Sequence, residues 1–155
     1  MNQATAVQPA ATVPASFAQR RVELPENCFR DIGASLLAAD GSRYFLEWTP
    51  TLNSERRPRA ALLQLCADCQ LDGGGWDAPT ALELATLVDH SQEGPATFAE
   101  LADDTQSDWY VTKTVDPSSP SDSAVYVDFH LGSVVWYSQG SGGFVRAVRR
   151  VPASQ

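Results

Sequence analysis

Hydrophobic and polar residues alternate most regularly in the last third of the chain. Val125, Val127, Phe129 and Leu131 interleave with Tyr126, Asp128 and His130, which predicts a strand with the first set buried and the second set wet. Gly132-Ser133 puts glycine first in a two-residue type II′ turn, and residues 134–137 return as the partner strand. Gly140-Ser141-Gly142-Gly143 reads as a loop, residues 144–148 as a last strand and Arg43–Trp48 as an earlier one. The period changes in the middle of the chain. Pro58 suits a first helical turn, where its missing N–H costs nothing. Leu62, Leu65, Cys66 and Cys69 then fall on one buried stripe that the glycines at 73–75 end. Thr80 and Glu83 have capping-box spacing and open a second helix. Its inner face is Leu84, Leu87 and Val88, with Leu82 beside them, and Gly94-Pro95 lies beyond its end. The sum is an α+β fold: an irregular antiparallel sheet, two short helices and long loops.

Composition narrows the choice of class. The chain has 155 residues, 43% of them hydrophobic and 19% charged, enough for one domain with its own core. Residues 1–19 hold Pro9 and Pro14 and no charge until the boundary at Arg20. This predicts an extended N-terminal arm ahead of a domain over 20–155. Composition leaves the arm two readings, a disordered tail or a strap laid on a partner. Residues 60–145 carry thirteen acids and one base, Lys113, while Arg146, Arg149 and Arg150 follow; the whole chain is −8. An acidic body excludes a non-specific binder of nucleic acid or anionic membrane. It also leaves two readings, a solubilising surface or a body that meets the basic ends of another copy. No apolar run reaches the length of a membrane span. Residues 1–16 lack a basic start and a continuous apolar core, so the expectation is synthesis in the cytoplasm without a signal peptide. Cys28, Cys66 and Cys69 are too few for a disulfide scaffold.

The candidate binding residues gather near the end. Trp48, Trp76 and Trp109 suit the core, because a tryptophan buries a large area and needs one polar partner. Trp136 is different. With Tyr137, Ser138, Gln139 and Ser141 it forms an aromatic and small-polar run beside the Gly/Ser loop. Rigid rings interleaved with adaptable polar groups resemble a recognition surface, and a half-buried connection would read the same way. Catalytic signatures are absent. His90 and His130 have no Ser or Cys partner by motif, the Cys66/Cys69 pair has no second pair for zinc, and the glycines at 73–75 lack a following Lys-Ser/Thr. Asp103, Asp104, Asp108, Asp116 and Asp122 offer hard oxygens but not a calcium-loop spacing. The expectation is a non-enzyme with no metal and no cofactor.

The order of motifs resembles the Lcl C-terminal domain family. Arg43 to Thr49 (RYFLEWT) is similar to its opening strand, Leu65-Cys66 to its helix, and Gly75-Trp76-Asp77-Ala78-Pro79-Thr80 with Glu83-Leu84 and Leu87-Val88 to its "GWRLPT..EL..L" run. Trp109-Tyr110-Val111-Thr112, then Val127-Asp128-Phe129, Gly132 and Val145-Arg146-Ala147-Val148-Arg149 follow its closing strands. Asp77-Ala78 replace the family's Arg-Leu, and Ala147 replaces its late cysteine, so Cys66 has no partner there. The resemblance implies a C-type-lectin-like fold, found in bacterial surface and phage proteins, whose loops before the last strands carry ligand contacts. Trp136, Tyr137, Ser138, Gln139, Ser141 and Arg146 are then the expected ligand-binding residues. The expected function is a phage virion protein of the tail or fibre, attached to other virion proteins through residues 1–19 and presenting these loops to a host-surface glycan or protein. The alternative is a bacterial carbohydrate-binding or adhesin-type protein. The resemblance permits a homo-oligomer, and some exported relatives bind sulfated polysaccharide. The acidic body opposes that here unless Arg146, Arg149 and Arg150 form a separate patch.

Overall fold

The structure is a computed structural model that describes residues 17–153. Its strands are β1 (Arg21–Glu23), β2 (Phe29–Leu37), β3 (Arg43–Trp48), β4 (Arg57–Pro58), β5 (Trp109–Val115), β6 (Ser123–Asp128), β7 (Ser133–Ser138), β8 (Gly142–Gly143) and β9 (Val148–Pro152). Two α-helices, α1 (Arg59–Asp68) and α2 (Ala81–Ala85), lie between β4 and β5. Short 3-10 turns occupy Phe17–Gln19, Pro25–Asn27, Leu71–Gly73 and Ala99–Asp104. The chain is therefore α+β and mostly antiparallel. One sheet has the order β9-β3-β2-β1, a second β5-β6-β7, and β4 pairs with β8 as a two-residue ribbon.

In the four-stranded sheet, β3 is flanked by β2 and β9, with Glu47 opposite Arg30 on one side and Arg149 on the other. Both guanidiniums reach the buried Glu47 carboxylate, at 2.6 Å and 2.9 Å. A buried carboxylate is tolerable when it is paired and hydrogen-bonded in this way. Asp31 is buried beside Arg20 on the same logic, at 2.5 Å.

The core has two halves separated by β5 and β6. One half gathers Phe17, Phe29, Trp48, Leu84, Leu87, Tyr110, Val127 and Phe129. The other gathers Cys28, Leu62, Cys66, Trp76, Val111, Ala124 and Tyr126. Both faces of β6 are consequently covered, and Tyr126, expected on the wet side, is fully buried.

Other expectations change for equally local reasons. Phe17 enters the core and stacks on Phe98 at 4.8 Å, so the folded part already includes Phe17–Gln19, which the sequence assigned to the arm. The rest of that arm, residues 1–16, lies outside the described residues. The β6–β7 turn is four residues long, from 129 to 132, not a two-residue turn. Gly132 sits at φ +87° and donates its N–H to the Asp128 carbonyl at 2.7 Å. Phe129 turns inward there while Leu131 is exposed. Residues 144–147 are not a continuous strand: Phe144 makes one parallel bridge to Tyr110, the segment threads between the two core halves, and the pairing with β3 begins at Val148. The capping box on α2 forms as expected, with Glu83 N–H on Thr80 Oγ1 at 3.2 Å and Thr80 N–H on Glu83 Oε1 at 2.9 Å. The helix it opens has only five residues, so Leu82 faces solvent, 70% exposed. Trp76 finds its polar partner, donating Nε1–H to the Leu71 carbonyl at 2.7 Å.

Candidate binding surface

Strand β7 has the sequence Ser-Val-Val-Trp-Tyr-Ser and pairs on one side only, with β6. Val134 is 49% exposed, Trp136 54% and Tyr137 56%. Edge strands are normally guarded by lysine, proline or a bulge; β7 has none of these. Of its two rings, Tyr137 is braced from behind. Tyr137 meets Trp109 edge-on at 5.3 Å, and Trp109 lies 5.3 Å from the buried Tyr126. Trp109, expected in the core, is only half-buried because it fills this middle position.

The turn after β7 is fixed by its own polar groups. Gln139 donates its side-chain amide to the Pro120 carbonyl and accepts from Arg59 Nη1 at 3.3 Å. Ser141 donates its N–H to the Ser138 carbonyl and accepts from the Arg59 N–H, both at 3.0 Å. Ser138 Oγ accepts from Gly140 N–H at 3.1 Å, and its carbonyl takes the Tyr126 hydroxyl at 2.8 Å. Arg59 is the missed residue here. It is buried, and it also donates to the Thr112 carbonyl at 2.9 Å and 3.1 Å. One side chain thus ties α1, β5 and the β7 turn together. An arginine just after Pro58 gave no sequence signal, because helix starts commonly expose their charges. Gly142 and Gly143 complete the clamp: a Cβ on either would run into the carbonyl of Arg57 or Trp109. These glycines serve close backbone approach.

Of the six expected ligand residues, the structure brings five together around this edge. Trp136 and Tyr137 are open to solvent, whereas Gln139 and Ser141 are largely spent in holding the turn. Arg146 is a correction. It is 2% exposed and donates to the Thr49 carbonyl at 2.9 Å, the Asp104 carbonyl at 3.1 Å and Thr105 Oγ1 at 3.0 Å. Its charge is met by Asp104 at 3.1 Å, and burial pulls its pKa below the ordinary arginine value. The arginine stitches the end of β3 to the loop before β5, and no ligand reaches it.

Arg149 and Arg150 form no open basic patch either. Arg149 lies over the Trp76 ring at 4.0 Å and pairs with Glu47 and Asp72. Arg150 pairs with Glu83 at 2.6 Å and Asp77 at 2.9 Å, and its bond to Glu83 raises its pKa. Burial alone would push the Glu83 carboxyl up; Arg150 and the Thr80 amide hold it below its usual value.

The remaining chemically capable groups are occupied or remote. Burial pushes the Cys28 thiol up to about 11 and the Cys66 thiol to about 12, which keeps both protonated and unreactive. His130 Nδ1 meets Ser107 Oγ at 2.9 Å on an exposed surface. Asp104 is held by Thr51 N–H and Arg146, Asp108 pairs with Arg56, and Asp116 caps Ser118. Among the described residues, no three His, Cys, Asp or Glu side chains converge as a metal ion requires. No described helix is long and apolar enough to cross a membrane.

A family model, the Lcl C-terminal domain, covers residues 39–149. No curated protein and no solved structure matches. The matched stretch runs from just before β3 to the second residue of β9; β1 and β2 lie outside it, with β2 pairing along one side of β3. From the strand at Arg43–Trp48 through the capped Trp76–Glu83 segment to Arg149, this chain belongs to the Lcl C-terminal domain family.

Proposed function

We propose that this chain is a non-enzymatic binding module with a C-type-lectin-like topology, carried on a phage virion as a tail or fibre component. One observation carries the reading: β7 presents Val134, Trp136 and Tyr137 on an uncharged edge, with Tyr137 held edge-on against Trp109, which in turn packs on Tyr126. A half-exposed ring held in place, as Tyr137 is, loses little freedom on binding, which is what a recognition surface needs. The non-enzymatic part is supported by the way the polar groups are spent: buried thiols, paired arginines, and an exposed histidine whose ring meets a serine. Residues 1–19 are the proposed attachment to other virion proteins. Phe17, sunk in the core, would root that arm. The proposed place of synthesis is the cytoplasm, and the proposed target of the aromatic edge is a protein or glycan partner.

The test separates surface from scaffold. The double variant Trp136→Ala, Tyr137→Ala is compared with the parent for binding of fluorescent chain to bacterial cells and to purified virions. Binding is expected to fall at least about tenfold, as for loss of a central aromatic anchor, with the melting temperature lowered by only a few degrees. Unchanged binding to both cells and virions sinks the proposal. For the arm, removal of residues 1–16 is expected to abolish incorporation into virions while leaving the circular dichroism spectrum intact; normal incorporation rejects attachment through it.

A further inference from the structure

The free edge of β7 has a hydrogen-bonding phase, and that phase selects a partner. Gln139 N–H bonds the Asp122 carbonyl at 2.9 Å, directly beyond the Ser138↔Ser123 pair of the ladder. Hydrogen-bonded pairs recur at every second residue of an antiparallel ladder. Ser133, Val135 and Tyr137 therefore turn their backbone groups toward β6, while Val134 and Trp136 turn theirs outward. Ser138 also points outward, but its carbonyl is already taken by Ser141 and Tyr126. Two residues, each with one free N–H and one free C=O, are left on a six-residue strand with no charge.

We propose that β7 pairs antiparallel with β7 of a second copy of this chain, with Val135 opposite Val135 on the two-fold axis. The inference rests on the binding-module reading and names the partner of its aromatic edge. Joining two sheets edge to edge about a perpendicular two-fold keeps each face continuous, so paired residues must lie on the same face. Only registers pairing even with even and odd with odd numbers satisfy this. Centring on Val135 puts Val134 opposite Trp136 of the other copy, twice. Each is an outward-facing pair able to exchange both hydrogen bonds, four bonds in all. It also makes two cross-strand contacts between a β-branched and an aromatic side chain, a favourable pairing on a sheet surface. Centring on Trp136 would spend the second pair of bonds on Ser138, whose carbonyl is occupied. The joined sheet has six strands and no free edge at β7.

Charge and size set the strength. No like charges face one another within the strand, while each body is strongly acidic, so added salt should tighten the pair by screening the bodies. Half-exposed Val134, Trp136 and Tyr137 from two copies withdraw roughly 600–800 Å² from water, below the standard interface of about 1,600 Å². The contact is therefore weak and reversible in solution, with dissociation expected near 0.1 mM, and it strengthens where many copies are fixed side by side.

The experiment uses the full chain. Sedimentation velocity from about 1 µM to 1 mM should show the mass rising from one copy to two, with the midpoint falling as salt is raised. Trp136→Lys should stay a single copy throughout. In a Cys69→Ser background, Val135→Cys should form a covalent dimer under mild oxidant, because equivalent residues on the axis meet themselves, whereas Ser133→Cys should not. Overturning results are a single copy at the highest concentration, a dimer that survives Trp136→Lys, Trp136→Cys crosslinking as readily as Val135→Cys, or loss of the dimer on removing residues 1–16, which would make a neighbour's arm the occupant. If the parent never dimerises but Trp136→Lys still loses cell or virion binding, self-pairing is rejected and the binding-module reading stands. If the dimer forms and binding ignores Trp136→Lys, the reverse holds.

Discussion

Replacing Arg146 by methionine isolates the contribution of a buried guanidinium. Methionine has similar length and no donor, so packing is nearly kept while three hydrogen bonds and one ion pair are lost. The three acceptors do not suffer equally. The Asp104 carbonyl keeps the Thr51 hydroxyl at 2.6 Å, and Thr105 Oγ1 keeps its own bond to the Leu101 carbonyl at 2.7 Å. The Asp104 carboxylate is half open to water and keeps Thr51 N–H. Only the Thr49 carbonyl, on a fully buried residue, is left without a partner. An orphaned buried acceptor costs about 1–3 kcal/mol, and lost bonds from a charged donor add to that. Relief from burying the cation offsets part of it. The expected loss is about 3 kcal/mol, the low end for breaking a buried pair, or ~8–15 °C in melting temperature. Arg146→Lys keeps the charge but cannot fork to both sides of the loop, so it should lose about 1–2 kcal/mol. Urea unfolding followed by tryptophan fluorescence measures both. A methionine variant within about 0.5 kcal/mol of the parent, the usual range for a surface change, would refute the structural role and return Arg146 to the list of ligand contacts.

Three further outcomes follow from the same geometry. Gly143→Ala should destabilise by at least ~3 kcal/mol, because the new methyl overlaps the Trp109 carbonyl; Gly140→Ala, whose Cβ would meet nothing closer than 3.5 Å, should be neutral in the same thermal melt. Glu83 and Asp77 have folded pKa values below their ordinary ones, so the stability they contribute is present above about pH 4 and is lost as pH falls through their folded values. In Arg150→Met, only the Thr80 amide and the Tyr44 hydroxyl would oppose burial at Glu83, and the acid loss of urea stability should begin at higher pH; superimposable pH profiles would contradict that account. Cys28 and Cys66, buried with raised pKa values, should resist a thiol reagent near pH 8, leaving Cys69 to react first, and a rapid count of about two or more thiols per chain would show the core to be open.

Sequence reading works in this chain where local chemistry decides, and fails where a distant segment does. The strand at Arg43–Trp48 and the Thr80/Glu83 box are recognisable because their signals lie within a few residues of each other. The long strand Phe29–Leu37 is not, since Asp31 sits at a core position and its charge is met by Arg20, eleven residues away. Tyr126 is misplaced by alternation because a second half-core covers the face that would otherwise meet solvent. Arg146 looks like a surface charge for the same reason: its partners at Thr49 and Asp104 are 97 and 42 residues away. The aromatic edge was legible as composition, but its braced Tyr137 ring, its outward-facing hydrogen-bonding groups and the clamping by Arg59 required coordinates.

The late strand β9 lies against β3, separated from it by a hundred residues of intervening chain. During synthesis β3 therefore waits, one side bare, until the residues between it and β9 have been made. Glu47 meanwhile holds only one of its two arginines, and Trp48 lacks its Val148 neighbour. Completion is a closing step with a large loop to shut, which places the folding rate toward the slow end for a chain of this size. A nascent chain stalled before Val148 should be a good client for chaperones and an easy target for proteases.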